Sequence, residues 1–252
     1  MVLAGAAAAA GAADKALPYL QSAPKPDLLQ ILPPPPASGS PADVDDRATF
    51  RETRKLHGSE RWALATSDVT TGPFQTFACA MSMQLDATRA PALARVLDRM
   101  GGGVLVDPVK KGYAKRRPYL DDPLPICEAK TAHLAGNGDY PSGHTTGGWA
   151  QALVLAELMP GRATPILQRG RAFGESRYIC GAHSKSAVEA GFMSGAVVVA
   201  ALHASPEFRA DMDAARQELA GLRASAQAPS GAACTAERRA LAAEARQAPR
   251  LR

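Results

Sequence analysis

Gly138-Asp139-Tyr140-Pro141-Ser142-Gly143-His144-Thr145-Thr146 is the stretch whose reading decides the fold. It joins a turn-setting proline, a hydroxyl, a bare backbone and an imidazole. An apolar run follows at once, with Trp149, Ala152, Leu153, Leu155 and Leu158 closed by Pro160-Gly161. The pattern predicts a loop feeding a helix N-terminus, where unpaired backbone N–H groups and the helix dipole favour an anion. Ser142 adds a donor, Gly143 lets an anion approach the backbone, and His144 can move a proton. Taken alone, Pro-Ser-Gly is also ordinary turn chemistry, so its neighbours must decide.

Working outward, apolar residues keep a helical period. Helices are predicted over 145–158, 164–178, 185–203 and 207–224, with a last one, rich in Ala, Arg and Glu, around 235–247. Upstream, Asp46 is expected to cap a helix over 47–56 and Ser59 to open another. Residues 79–85 read as helix after an irregular 69–77, and Thr88 as the cap of a helix running to Met100. Alternating strand patterns and internal repeats are lacking. The fold class is therefore all-α, a single-domain helical bundle.

Three segments are expected: a signal-peptide remnant or alanine-rich leader at 1–13, a proline-rich extended arm at 14–44, and the helical domain at 45–252. Ala10-Gly11-Ala12 has the small-x-small form of a cleavage site, and Pro33-Pro34-Pro35-Pro36 stiffens the arm. Beyond the leader, no segment reads as long and apolar enough to span a bilayer. The formal charge of +5 over 252 residues is modest and dispersed, which permits anionic substrates without demanding nucleic acid. Cys79, Cys127, Cys180 and Cys234 form no CxxC, so zinc-site spacing is absent. An even count suits two disulfides in an exported protein, periplasmic or secreted. Of the three pairings, Cys127–Cys180 with Cys79–Cys234 is favoured, because the first pair flanks the candidate site on both sides.

Two further blocks supply charge. Lys110, Lys111, Lys115, Arg116 and Arg117 form a basic cluster; on a helix ended by Pro118, Lys110 and Arg117 would share a face. Lys110 is a compact point charge, whereas Arg117 is a planar fork suited to a tetrahedral oxyanion. The block Ser176-Arg177-Tyr178-Ile179-Cys180-Gly181-Ala182-His183 lies late in a predicted helix and through its end. Together the blocks hold what phosphoryl transfer without a metal needs. Cations neutralise the equatorial oxygens, one imidazole attacks, and another protonates the leaving oxygen.

Lys110-x6-Arg117-Pro118, Pro141-Ser142-Gly143-His144 and Ser176-Arg177-x5-His183 together resemble the three-part signature of the type 2 phosphatidic acid phosphatase and vanadium haloperoxidase superfamily. Tyr140 to Thr146, Gly148-Trp149-Ala150, Ile179-Cys180-Gly181 and the upstream Leu32-Pro33-Pro34-Pro35-Pro36 are similar to the bacterial class A nonspecific acid phosphatases. The resemblance spans about residues 30 to 222. It implies a secreted, metal-independent, all-helical acid phosphatase acting on small-molecule phosphate monoesters through a phosphohistidine. No cofactor is implied; vanadate is implied as an inhibitor and a homodimer as an assembly. His183 would be the nucleophile and His144 the general acid, with Lys110, Arg117, Ser142, Gly143 and Arg177 holding the phosphoryl oxygens. A haloperoxidase is opposed by the class A flanks, and a membrane lipid phosphatase by the absence of its spans.

One position departs from the family. Its third motif carries an aspartate four residues after the nucleophilic histidine, which orients that imidazole; here the residue is Ala187. Glu189 would point away on a helix, so Ser186 is the expected substitute, with a backbone carbonyl or water as alternatives. The expected enzyme is therefore an acid phosphatase in which the loss of this orienter allows a reduced rate. The alternative is a catalytically impaired protein that keeps the anion pocket and binds phosphate or another oxyanion.

Overall fold

A computed structural model describes residues 18–21 and 24–247, so the leader expected at 1–13 lies outside the described residues. Among the described residues all regular structure is helical. The proline-rich segment forms a 3-10 turn, Tyr19–Gln21, and a short helix, α1 (Leu28–Ile31). Leu20, Leu28 and Leu32 enter the core, so this arm is anchored by burial.

α2 (Pro41–Arg54) starts earlier than expected. Ser40, not Asp46, is its cap, accepting from the Asp43 N–H, with Pro41 in the first turn. Asp46 lies mid-helix, buried, where it receives Lys115 and Ser186. α3 (Glu60–Ser67) opens at Ser59 as expected. α4 (Pro73–Met81) occupies much of the segment read as irregular and stops at Ser82 (φ 58°), so residues 79–85 are only partly helical. α5 (Pro91–Asp98) has no cap from Thr88. The carboxylate of Glu218, far along the chain, accepts the Ala92 and Leu93 N–H groups at 2.9 and 3.0 Å instead.

α6 (Gly103–Tyr113) ends at Ala114 (φ 45°), four residues before Pro118. Lys110 and Arg117 therefore do not share a helical face. Pro118 begins α7 (Pro118–Asp121) rather than ending a helix, and α8 (Ala132–Gly136) adds a turn to the loop that follows.

The remaining helices fall close to their predicted spans: α9 (Gly143–Leu158), α10 (Ala163–Cys180), α11 (Lys185–Leu202), α12 (Pro206–Leu222) and α13 (Gly231–Gln247). α9 buries residues on every side, as a central helix must, and packs chiefly against α10 and α11. The α9–α11 contact is backbone-close: a Cβ at Gly191 would lie 2.9 Å from the Ser142 carbonyl, and one at Gly195 2.8 Å from that of Thr146. α5 pairs with α12, and α3 and α4 cover α10. By length and composition alone α11 is apolar enough to cross a membrane, contrary to the sequence expectation, and half of it is buried within the bundle. The disulfides are Cys79–Cys234, joining α4 to α13, and Cys127–Cys180, joining a loop to the end of α10. This is the expected pairing.

Candidate functional site

Three helix termini converge. At the first, Ser142 caps α9, accepting from the Thr145 N–H at 3.3 Å. At the second, α10 ends on Gly181 (φ 86°), a left-handed cap that turns the chain so that the Ala182 and His183 N–H groups bond back to the Arg177 carbonyl. At the third, Ser184 caps α11. The Ser142 N–H donates to the Ala187 carbonyl at 2.9 Å, tying the start of α9 to the first turn of α11. Arg54 reinforces the α10 terminus, donating to the carbonyls of Tyr178, Ile179 and Cys180. These are carbonyls that a helix end leaves without intrahelical partners.

The result is a cleft of about 540 Å³ whose walls include Arg117, Glu128, His133, His144, Arg177 and His183. Arg117 is buried. It donates through Nε to the Asn137 carbonyl (2.8 Å) and through Nη1 to the Ala182 carbonyl (2.7 Å), and Nη1 also lies 3.1 Å from His183 Nε2. Arginine can only donate, so Nε2 presents its lone pair and the ring proton resides on Nδ1. Arg177, 1% exposed, pairs with Glu128 through Nη2 at 2.5 Å, while its Nε and Nη1 have no partner among the described residues.

The other expected anion ligands sit differently. Lys110 lies in an adjoining groove, where its ammonium donates to the Gly138 carbonyl. It still borders the site, since a Cβ on Gly143 would meet its Cε at 3.9 Å. Ser142 is fully buried, with its Oγ accepting from Thr145 Oγ1 at 2.9 Å. Gly143 is the first residue of α9, at the positive end of the helix dipole.

Ser186 does not orient His183. Its hydroxyl donates to Asp46 at 2.6 Å, and its N–H bonds the same carboxylate. Instead His183 Nδ1 lies 3.0 Å from Asp139 Oδ1 and 2.7 Å from the Asp139 carbonyl oxygen. Asp139 is wholly buried and held by the Ser184 N–H (3.1 Å) and hydroxyl (2.6 Å). Sequence reasoning also missed Glu128 and the buried set of Arg61, Asp68 and Arg169. Ser176 belongs to that set: it donates to Asp68 and accepts from Arg61, so it anchors α10 rather than lining the cleft. No spacing rule could have found these partners, because each contact joins residues far apart in the chain.

The surrounding charge sets the protonation states. Burial, then Arg117, Lys110 and Arg177, hold the His183 pKa well below the usual imidazole value, so the ring is neutral. His144 faces the cleft with Nε2 3.3 Å from the Val69 carbonyl. The crowding walls and then Arg177 lower its pKa to about 4. Burial and Arg117 bring Lys110 down to about 8. Burial raises the Asp139 pKa, opposed by Ser184, Lys115 and Arg117. Among the described residues, no group of three or more His, Cys, Asp or Glu could hold a metal ion.

Comparison with known proteins agrees with this architecture. The PAP2 superfamily profile matches residues 93–211. An acid phosphatase of Zymomonas mobilis is 45% identical over 220 residues, 85% of this chain and 83% of that protein. A non-specific acid phosphatase of Providencia stuartii is 36% identical over 81% of this chain and 86% of its own length. One from Salmonella typhimurium is 35% identical, covering 75% and 78% respectively.

Proposed function

The chain belongs to the PAP2 superfamily and to the acid phosphatases within it, and from that premise we propose that it hydrolyses phosphate monoesters through a phosphohistidine on His183, with His144 as general acid. The observation that carries this reading is Arg177: a buried guanidinium on the wall of the cleft, beside His183, keeps two nitrogens without a partner. Buried donors without partners are costly, and a phosphoryl group would satisfy them.

In the first step His183 Nε2 attacks phosphorus as the bond to the leaving oxygen breaks, and His144 delivers its proton to that oxygen. In the second, the now neutral His144 takes a proton from water, the hydroxide attacks phosphorus, and the P–N bond breaks to release phosphate and restore His183. Arg117 and Arg177, with Lys110 and the α9 N-terminus beside them, neutralise the equatorial oxygens in both steps. The depressed His144 pKa belongs to a cleft without an anion; a bound phosphate places negative charge beside the ring and favours its protonated form. The two disulfides suit folding after export, to the periplasm or the medium.

The test is hydrolysis of p-nitrophenyl phosphate at acidic pH, with acid-stable and acid-labile phosphoenzyme separated after rapid quenching. We expect an acid-labile, histidine-type phosphoenzyme, competitive inhibition by vanadate and no loss of rate with a chelator. His183→Ala should abolish both turnover and the phosphoenzyme; turnover equal to the parent in that variant would sink the reading. The impaired-binder alternative rested on a missing partner for His183. The contact with Asp139 supports the active reading over that alternative.

A further inference from the structure

We propose that Asp139 is the positioning residue of His183: a carboxylate supplied from the loop before α9 holds the pose of the nucleophile and offsets the charge it gains, in place of one from the first turn of α11. The inference rests on the reading of His183 as nucleophile. Four observations carry it. Asp139 Oδ1 lies 3.0 Å from His183 Nδ1, the nitrogen that must bear the proton because Arg117 occupies the lone pair of Nε2. Asp139 is itself immobilised, its carboxylate by the Ser184 N–H and hydroxyl and its own N–H by the Lys115 carbonyl at 2.8 Å. Both side chains are buried, so the contact is shielded from water. Finally, Ser184 Oγ, which donates to Asp139, also accepts the Ala187 N–H at 3.3 Å. The backbone of residue 187 therefore lies one hydroxyl away from the Asp139 carboxylate, and a second carboxylate at the fully buried Ala187 would add like charge to the same neighbourhood.

The arrangement has a mechanistic consequence. When Nε2 takes the phosphoryl group while Nδ1 keeps its proton, the ring becomes cationic. A carboxylate on Nδ1 stabilises that charge in a way the neutral Asp139 carbonyl, 2.7 Å away, does not match. Asp139 thus acts through His183 and touches no reacting atom. A purely structural role, capping Ser184 at the α11 terminus, is the competing account.

The experiment compares Asp139→Ser, Asp139→Asn, Ala187→Asp and the double variant Asp139→Ser/Ala187→Asp in the full chain. The readouts are kcat and KM for p-nitrophenyl phosphate, melting temperature, and the Nδ1–H proton shift of His183 by histidine-selective 1H–15N NMR, which five histidines make tractable. In the parent that proton should be shifted downfield by the carboxylate. Asp139→Ser should lower kcat by about 10²-fold, the upper range for removing such an outer partner, with KM nearly unchanged and the proton moved upfield, while the Nδ1–H tautomer persists because Arg117 and the residue 139 carbonyl still hold it. Ala187→Asp alone should lower kcat, whereas adding it to Asp139→Ser should recover at least about tenfold and return the downfield signal. Asp139→Asn, nearly isosteric, supplies the shift reading if the serine variant does not fold. An unchanged proton shift in the Asp139 variants, or kcat retained in them, would overturn the proposal; so would a gain from Ala187→Asp alone. The shift is read without turnover, so it stands even if His183→Ala shows that a different residue is the nucleophile.

Discussion

At the scale of single residues the two histidines are chemically alike and electrostatically distinct. His183 is enclosed and kept neutral by burial and three neighbouring cations, whereas His144 borders the cleft and is brought only to about 4. In the free enzyme kcat/KM should therefore fall as pH rises above about 4, because the protonated fraction of His144 is lost while His183 remains a free base. Binding phosphate or vanadate should raise the His144 pKa, measured by NMR titration; a further decrease would contradict the proton-donor role. Replacing His144 by Asn should lower kcat for an alkyl phosphate by roughly 10²-fold or more, and for p-nitrophenyl phosphate far less, since nitrophenolate leaves without a proton. Equal losses on both substrates would argue against general acid catalysis. Arg117, His144, Arg177 and His183 were legible in the sequence because each sits in a short block whose residue types already imply its chemistry. Asp139 stood in plain view within the same stretch as His144, but its partner is 44 residues away and only the folded chain joins them.

At the scale of elements, the long helices were legible and the starts and stops were not. Apolar periodicity fixed α9 to α12 closely, because each buries an extended face. α6 misled: the charged run after Lys110 looks helical, yet the chain leaves the helix at Ala114, and it is this break that brings Arg117 under His183. α5 lacks a local cap because a distant carboxylate supplies it. Replacing Glu218 by Ala should cost about 1 kcal/mol and lower the melting temperature by roughly 2–4 °C without altering kcat. At the α9–α11 contact, Gly191→Ala would press a methyl group on the Ser142 carbonyl and the Thr145 side chain. The expected destabilisation is about 1–3 kcal/mol, and kcat should fall with it because both histidines are mounted on that contact. A variant as stable and active as the parent would mean that the helices move apart freely.

At the scale of the whole molecule, the two disulfides hold different things. Cys79–Cys234 spans 155 residues and fastens the last helix; Cys127–Cys180 spans 53 and fixes the loop that carries Glu128 against the end of α10. Cys234→Ser with Cys79→Ser should cost about 2–5 kcal/mol by thermal or denaturant unfolding and leave KM unchanged. Breaking Cys127–Cys180 should also raise KM, because the wall of the cleft beside Arg177 loosens. The all-helical class was readable from the chain because it depends on periodicity, and the cysteine pairing because Cys127 and Cys180 flank the candidate site; the arrangement around His183 was not, because it depends on which loops touch. The hydroxyl shared by positions 139 and 187 bears on descent as well as on mechanism. If one carboxylate has been exchanged for the other, single substitutions must pass through an ancestor with two acids in one dry pocket or through one with none. Under the role proposed for Asp139 each intermediate is handicapped, so lineages that have settled on either arrangement should seldom cross to the other.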